Sequence, residues 1–483
     1  MSRSTSEDGG ADTAEDGIPR GGAARFDRRL VPPMILGSVL NPVNSSVIAV
    51  ALVPIGAAFG APPSQTAWLV SALYLATALG QPVVGRLIDL FGPRRLFLIG
   101  TSLVGLAGVL GMVAPSLGVL VAARVVLGFG TCAGYPAAMA LLRGEADRTG
   151  TKNPGGVLTV LAIANQTVAV IGPSLGGLLI GLGGWRTTFA LNIPLAAVAL
   201  LLGALRLPKP ERMPSVRGRL AARLDLPGMA LFAVMLVALL LFLMDLRHPG
   251  AGAFALLALS AVAGALFARR ELRAAEPFLD LRLLGGNRPL LATYARGLVA
   301  YVVSYAVLYG FTQWVQQGRG LSASGAGLVQ VPLFLTAIGV SAYTGRRPGV
   351  YGKLVAGAVF QVVACVLLFL LDGDSPVWLL LATALLFGLP QGLNSLALQN
   401  SVYRQADPAR MGSSSGLLRT FAYMGSMIVS AATAYAYPER ADTAGMHELA
   451  WVMLGAGVLF LLMTVFDRGL RRVGAEDAAP NTT

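Results

Sequence analysis

Residues 65–114 read QTAWLVSALYLATALGQPVVGRLIDLFGPRRLFLIGTSLVGLAGVLGMVA. An apolar stretch is followed by a turn with Arg86, Asp89, Arg94 and Arg95, then by a second apolar stretch. Each stretch holds roughly twenty residues, enough for a helix to cross a hydrocarbon layer of about 30 Å. Hydrocarbon admits a backbone only where its polar groups bond one another, so each stretch reads as a membrane-spanning helix. The unit repeats. Fourteen apolar stretches run over 31–57, 65–88, 94–114, 117–142, 155–182, 186–206, 226–246, 251–269, 289–317, 323–344, 351–371, 376–402, 412–436 and 447–466. The expected fold class is an all-α polytopic membrane protein with fourteen spans.

Charge sets the orientation. Counting both tails, the eight connections on one side of this zigzag carry 30 of the 37 Lys and Arg residues. The opposite side holds only Arg186, Arg247, Arg319 and Arg440, and Arg124, Arg296 and Arg419 lie inside spans. Basic loops stay cytoplasmic, so both termini are expected in the cytoplasm of a plasma-membrane protein. All five tryptophans (Trp68, Trp185, Trp314, Trp378 and Trp451) fall near the other ends of the spans, where indole rings are expected at headgroup level. With 55% hydrophobic and 13% charged residues, the chain departs from the roughly 25% charge of soluble domains. The net charge of +13 is accounted for by loops beside anionic lipid, and no nucleic-acid partner is implied. Ala- and Arg-rich usage suits a bacterial source. Cys132 and Cys365 lie in different spans and read as packing residues, with no disulfide or metal site. His248 and His447 fall in or beside outer loops and are expected to be solvated.

Organisation follows. Residues 1–30 read as a disordered tail without a signal-peptide core, 31–207 as a six-helix bundle, and 208–225 as a basic loop. Residues 226–269 read as two inserted helices, 270–288 as a loop, 289–470 as a second six-helix bundle, and 471–483 as a tail. The two bundles resemble each other. Gly128, Gly130 and Gly134 in the fourth span answer to Gly388, Pro390 and Gly392 in the twelfth. Duplicated halves are common in secondary transporters, whose substrates bind near the midplane between them.

Four motifs carry a resemblance. Gly85, Leu87, Asp89, Gly92, Arg94 and Arg95 resemble the G-x-L-x-D-R-x-G-R-(K/R) signature of the major facilitator superfamily. Gly172, Pro173, Gly176 and Gly177 are similar to the G-P-x-x-G-G antiporter motif of its drug exporters. Arg124 and Gly128 match an embedded R-x-x-x-G, and Trp185–Phe189 with Asn192–Pro194 resemble W-R-x-x-F…N-x-P. With fourteen spans, the chain looks like the drug:proton antiporter branch. The resemblance implies two six-helix bundles plus two linker helices, and alternating-access transport of a small molecule. It implies a conformational latch at Gly85, Asp89, Gly92, Arg94 and Arg95, proton coupling around Arg124, and a sealing bend at Gly172–Gly177.

Each motif also has a direct physical reading. Pro173 removes a helical donor and bends its span, while the flanking glycines admit a close neighbour. Arg124 costs roughly 2.5–3.5 kcal/mol at a helix centre and so is expected to face a cavity or a partner, as are Arg296 and Arg419. Arg296 lies close enough to its span end to snorkel instead. The chain departs from the pattern at three places. Leu90 and Pro93 alter the latch, and Asn44 stands where the branch carries an aspartate. No Asp or Glu lies deep in any span, which leaves proton coupling open. Asn41, Asn165, Gln166, Tyr301, Tyr305, Gln391 and Asn394 are the candidate substrate-binding residues, because intramembrane amides and phenols need polar partners. No nucleotide-binding loop of the G-x-x-x-x-G-K-(S/T) type is present. The expected protein is not an enzyme and takes no cofactor. It is a monomeric exporter of a neutral or anionic drug-like molecule or metabolite. Uptake of a polar metabolite, or a non-transporting membrane sensor or scaffold, stays open.

Overall fold

A computed structural model describes residues 27–149, 155–208, 225–246, 250–274, 277, 281–345, 349–406, 411–467 and 470. Residues 1–26, the C-terminal tail, most of the 208–225 loop and part of the 270–288 loop fall outside the described residues; Asp27–Leu30, expected in the disordered tail, instead form a 3-10 turn capped by Asp27, whose N–H donates to Glu145 Oε1 at 2.6 Å. The first half contains α1 (Val31–Phe59), α2 (Pro63–Phe91), α3 (Pro93–Met112), α4 (Leu117–Thr131), α5 (Gly134–Thr149), α6 (Gly155–Gly183), α7 (Arg186–Ala190) and α8 (Asn192–Arg206). Two linker helices follow, α9 (Leu226–Met244) and α10 (Ala251–Glu271). The second half has the short α11 (Leu281–Gly286), then α12 (Arg288–Tyr305), a π-helical turn (Ala306–Phe311) and α13 (Thr312–Gln317). It closes with α14 (Ala323–Gly345), α15 (Tyr351–Leu368), α16 (Val377–Gln405), α17 (Met411–Ala436) and α18 (Thr443–Val465). No strand occurs among the described residues.

The spans begin and end where local chemistry dictates. Prolines open α1, α2, α3 and α9, where the missing N–H is an orphan in any case. Gly60 ends α1 at φ 62°, and Gly92 turns α2 into α3 at φ 84°, backbone that residues with a Cβ rarely adopt. Among the described residues, eleven helical segments are both long and apolar enough to cross a membrane. The three further helices that the sequence reads as spans, α2, α6 and α17, are 29, 29 and 26 residues long. These line the boundary between the halves.

The internal duplication is visible in the packing. In the first half α1 lies on α6, α2 on α4, and α3 on both α4 and α8. The second half repeats every pairing: α12 on α17, α14 on α16, and α15 on both α16 and α18. The halves meet along α2 with α17 and along α6 with α14, again an exchange of equivalent helices. The linker pair sits beside this seam, where α9 touches α17 and α2. Asp225 caps α9 from a left-handed conformation at φ 44°, and its Oδ1 accepts Arg270 Nη2 at 2.6 Å, tying the two linker helices at one end.

The terminal face is taken as the one where α1 begins and α18 ends. On the opposite face the side chains are less solvated than the sequence suggested. Trp378 and Trp451 are exposed, but Trp185 and Trp314 are buried in protein, where Trp314 Nε1 donates to Thr443 Oγ1 at 3.3 Å. His447 is half-buried against the Leu371 carbonyl at 3.0 Å. Arg186 and Arg440 donate to the carbonyls of Ala114 and Gln317 at 3.3 and 2.6 Å, and Arg319 to that of Ser375. These three arginines are held by backbone carbonyls on that face. Cys132 and Cys365 are both buried and free.

Candidate functional site

Tyr301, Tyr305 and Tyr309 recur every four residues, so they line one face of the helix that runs through the π turn. Their rings form a ladder, with Tyr305 and Tyr309 stacked at 5.9 Å and 7°. Tyr74 of α2 reaches across the seam into this ladder, 5.2 Å from Tyr305 and 5.3 Å from Tyr423 of α17. The Tyr74 and Tyr309 hydroxyls are 2.9 Å apart, and Tyr309 Oη donates to the Ser45 carbonyl of α1 at 3.1 Å. Aromatic rings from both halves thus meet where α2 packs against α17.

Two guanidinium groups flank this cluster. Arg124 is 1% exposed; its Nε donates to the Leu69 carbonyl at 2.8 Å, and its Nη2 has no hydrogen-bond partner. It lies within electrostatic reach of Tyr74 and Tyr309. Arg419, two turns into α17, places its guanidinium 3.9 Å from the centre of the Tyr135 ring of α5. That contact crosses the seam on the terminal-face side of the tyrosines, and a half-buried cation over an aromatic face is worth about 1 kcal/mol.

Toward the opposite face the seam is closed by backbone approach. A methyl on Gly172 would fall 1.8 Å from Ser46 Oγ, and one on Gly176 2.8 Å from Val50 Cγ2, so both glycines seat α6 against α1. Gly177 does the same across the seam, where a methyl would lie 2.6 Å from Ser324 Cα. Ser324 Oγ donates to the Gly177 carbonyl at 2.8 Å, and Ser174 Oγ to that of Gly327 at 3.4 Å. Pro173 is buried inside α6, with its carbonyl under Gly327. Ser64 Oγ donates to the Pro438 carbonyl at 2.8 Å, a further link between the halves.

Several residues expected at the cavity are turned elsewhere. Asn44 does not face the seam. It exchanges hydrogen bonds with Asn192 of α8, at 2.7 and 2.9 Å, inside the first half. Asn394 likewise donates to Gln361 Oε1 of α15 at 3.0 Å within the second half. Arg296 pairs with Asp467 at 2.6 Å beyond α18, so its charge is compensated near the terminal face. Asn41 bonds Thr131 at 3.1 Å, Asn165 bonds its own helix at Leu161, and Gln391 accepts Ser304 at 2.6 Å. At the α2–α3 turn, Arg94 Nη2 donates to the Ala204 carbonyl at 2.8 Å, at the end of α8. Gly85 has open space around it. Arg95 is exposed, and the side chains of Asp89 and Gln166 lie outside the described residues. A groove of about 510 Å³ lies beside α2, lined by Gly80, Val83, Gly100, Phe129 and the linker residues Met229 and Ala233.

Sequence reasoning missed Tyr74, Tyr135, Tyr309 and Tyr423. The four-residue tyrosine spacing was a usable signal for Tyr309. The other three join the site only through contact between helices distant in sequence.

Comparison with known proteins agrees with this architecture. The chain is 32% identical over 437 residues to the uncharacterized transporter YwoD of Bacillus subtilis, covering 89% of this chain and 94% of the relative. It is 30% identical over 441 residues to the multidrug resistance protein Stp of Mycobacterium tuberculosis, covering 87% and 80%. A solved bacterial homologue of the human drug peptide transporters superposes with a TM-score of 0.65 at 12% identity, covering 93% of this chain and 99% of that one. The family's profile matches residues 34–430, and the chain belongs to the Major Facilitator Superfamily of membrane transporters.

Proposed function

We propose that this transporter exports a neutral or anionic drug-like molecule or metabolite by alternating access, with both termini in the cytoplasm. One observation carries the reading of charge. Arg124 and Arg419, one from each half, flank a tyrosine cluster on the seam, and no span contributes a deep carboxylate. At an effective dielectric near 20, a like charge about 6 Å away costs close to 3 kcal/mol, roughly a hundredfold in affinity. Tyrosine faces then stack on a planar substrate, while the partnerless Arg124 Nη2 takes an acceptor atom. Export is supported by the likeness to a multidrug resistance protein and by the segment Gly172–Gly177 at the seam. In this reading the closed contacts at Ser64–Pro438 and Gly177–Ser324 belong to the state sealed on the outer side. The orientation rests on the bias of Lys and Arg to one side.

The test is flux in proteoliposomes with a panel of cationic, neutral and anionic aromatic compounds of matched size. Efflux of neutral and anionic members, lost in Arg124→Ala, is expected. Robust efflux of cations by the unaltered chain would overturn the assignment. Imposing a proton gradient in the same vesicles decides whether protons couple.

A further inference from the structure

The π turn at Ala306–Phe311 interrupts a helix that otherwise runs from Arg288 to Gln317. One residue inserted into a helix turns everything beyond it by about 100°, and the altered hydrogen-bond ladder leaves backbone groups without a helical partner. Here two side chains from other elements take up carbonyls of the turn. Gln330 of α14, itself 1% exposed, donates its Nε2 to the Val307 carbonyl at 3.1 Å and to Thr312 Oγ1 at 2.6 Å. Tyr437, fully buried after α17, donates its hydroxyl to the Gly310 carbonyl at 3.3 Å. Gly310 also lets α18 press in, since a methyl there would fall 2.2 Å from Leu449 Cδ2. All three contacts come from the second half. From the same stretch of helix, Tyr309 reaches out of that half to Ser45 and Tyr74 of the first.

We propose that Gln330 and Tyr437 are positioning residues that hold the π register of this turn, and that the register places Tyr309 in the seam. Resettling of the turn into α geometry rotates the flanking segments against each other and withdraws the Tyr309 hydroxyl from Ser45. The switch between π and α geometry is thus a step in opening the seam. This rests on the alternating-access reading above, but its readout is conformational and needs no substrate.

The experiment places spin labels at Ala58→Cys and Glu439→Cys, both exposed and on opposite halves, in a Cys132→Ala and Cys365→Ala background. Distance distributions are measured by pulsed electron resonance in lipid nanodiscs. Gln330→Met and Tyr437→Phe keep volume and remove the donors, and each is expected to raise the ratio of long to short distances about fivefold. Tyr309→Phe is expected to match them, with thermal unfolding unchanged within a few degrees for all three. Unchanged distances in both Gln330→Met and Tyr437→Phe would overturn the proposal, whatever Tyr309→Phe does. If the distances shift while the unaltered chain moves no compound in the flux panel, the export reading fails and the register device stands.

Discussion

Asn44 occupies the position where the drug:proton branch carries an aspartate, and the structure places it against Asn192, away from the seam. Its amide donates to Asn192 Oδ1 at 2.7 Å and to the Leu40 carbonyl at 2.8 Å, and accepts from Asn192 Nδ2 at 2.9 Å. Both residues are buried, at 6% and 1% exposure, so water does not replace a lost partner. Asn44→Leu and Asn192→Leu, close in volume, are each expected to cost about 1–3 kcal/mol, mostly for the amide atoms left unbonded. Once one amide is gone the other has lost its partner, so the double substitution is expected to cost less than the sum. Intramembrane hydrogen bonds average about 0.6 kcal/mol and reach about 1.7, which puts the coupling of the two cross-helix bonds at roughly 1–3 kcal/mol. The assay is reversible unfolding of the full chain in bicelles for the four members of the cycle. Additivity within about 0.5 kcal/mol would refute the pairing and return Asn44 to the seam. Asn44→Asp is expected to give no gain of cation transport, because its carboxyl would face Asn192 in the same half.

Arg124→Ala is expected to abolish efflux of anionic compounds, with expression retained. Arg124→Lys should recover only part, because Lys keeps the charge without the planar fork; wild-type rates in Arg124→Ala would refute the role. Gly177→Ala is expected to slow turnover severalfold at unchanged substrate affinity, since its methyl would press on Ser324 backbone at 2.6 Å; Pro173→Ala should act the same way by restoring a helical donor. A fall in affinity at unchanged turnover would move these residues from gate to binding site. Arg296→Met should destabilise the chain by about 1.5–3 kcal/mol by removing its charged hydrogen bond to Asp467, and Arg296→Met with Asp467→Leu should recover part of it; equal losses in both would show that the pair is not coupled. For orientation, Ser215→Cys and Asp374→Cys in the cysteine-free background should label from opposite sides. Asp374 is exposed in the loop before α16. Labelling of both by an impermeant external reagent would reject the orientation.

The sequence by itself determined the fourteen apolar stretches, their alternation and the kinship of the two halves. Hydrocarbon has no water to satisfy a backbone, so length and apolarity alone decide which residues form spans. It also showed where glycines admit close approach, since Gly172–Gly177 is legible as a local motif. Tertiary structure decided which polar residue faces which helix. An intramembrane amide or guanidinium is driven to find a partner, and the sequence does not say on which helix that partner lies. Asn44 found Asn192, Asn394 found Gln361 and Arg296 found Asp467, each inside its own half. Tyr74, Tyr309 and Tyr423 met from three helices to form the seam, and Arg419 found Tyr135 across it. Such contacts follow from how the helices rotate against one another, which depends on packing along their whole lengths and not on any local run of residues.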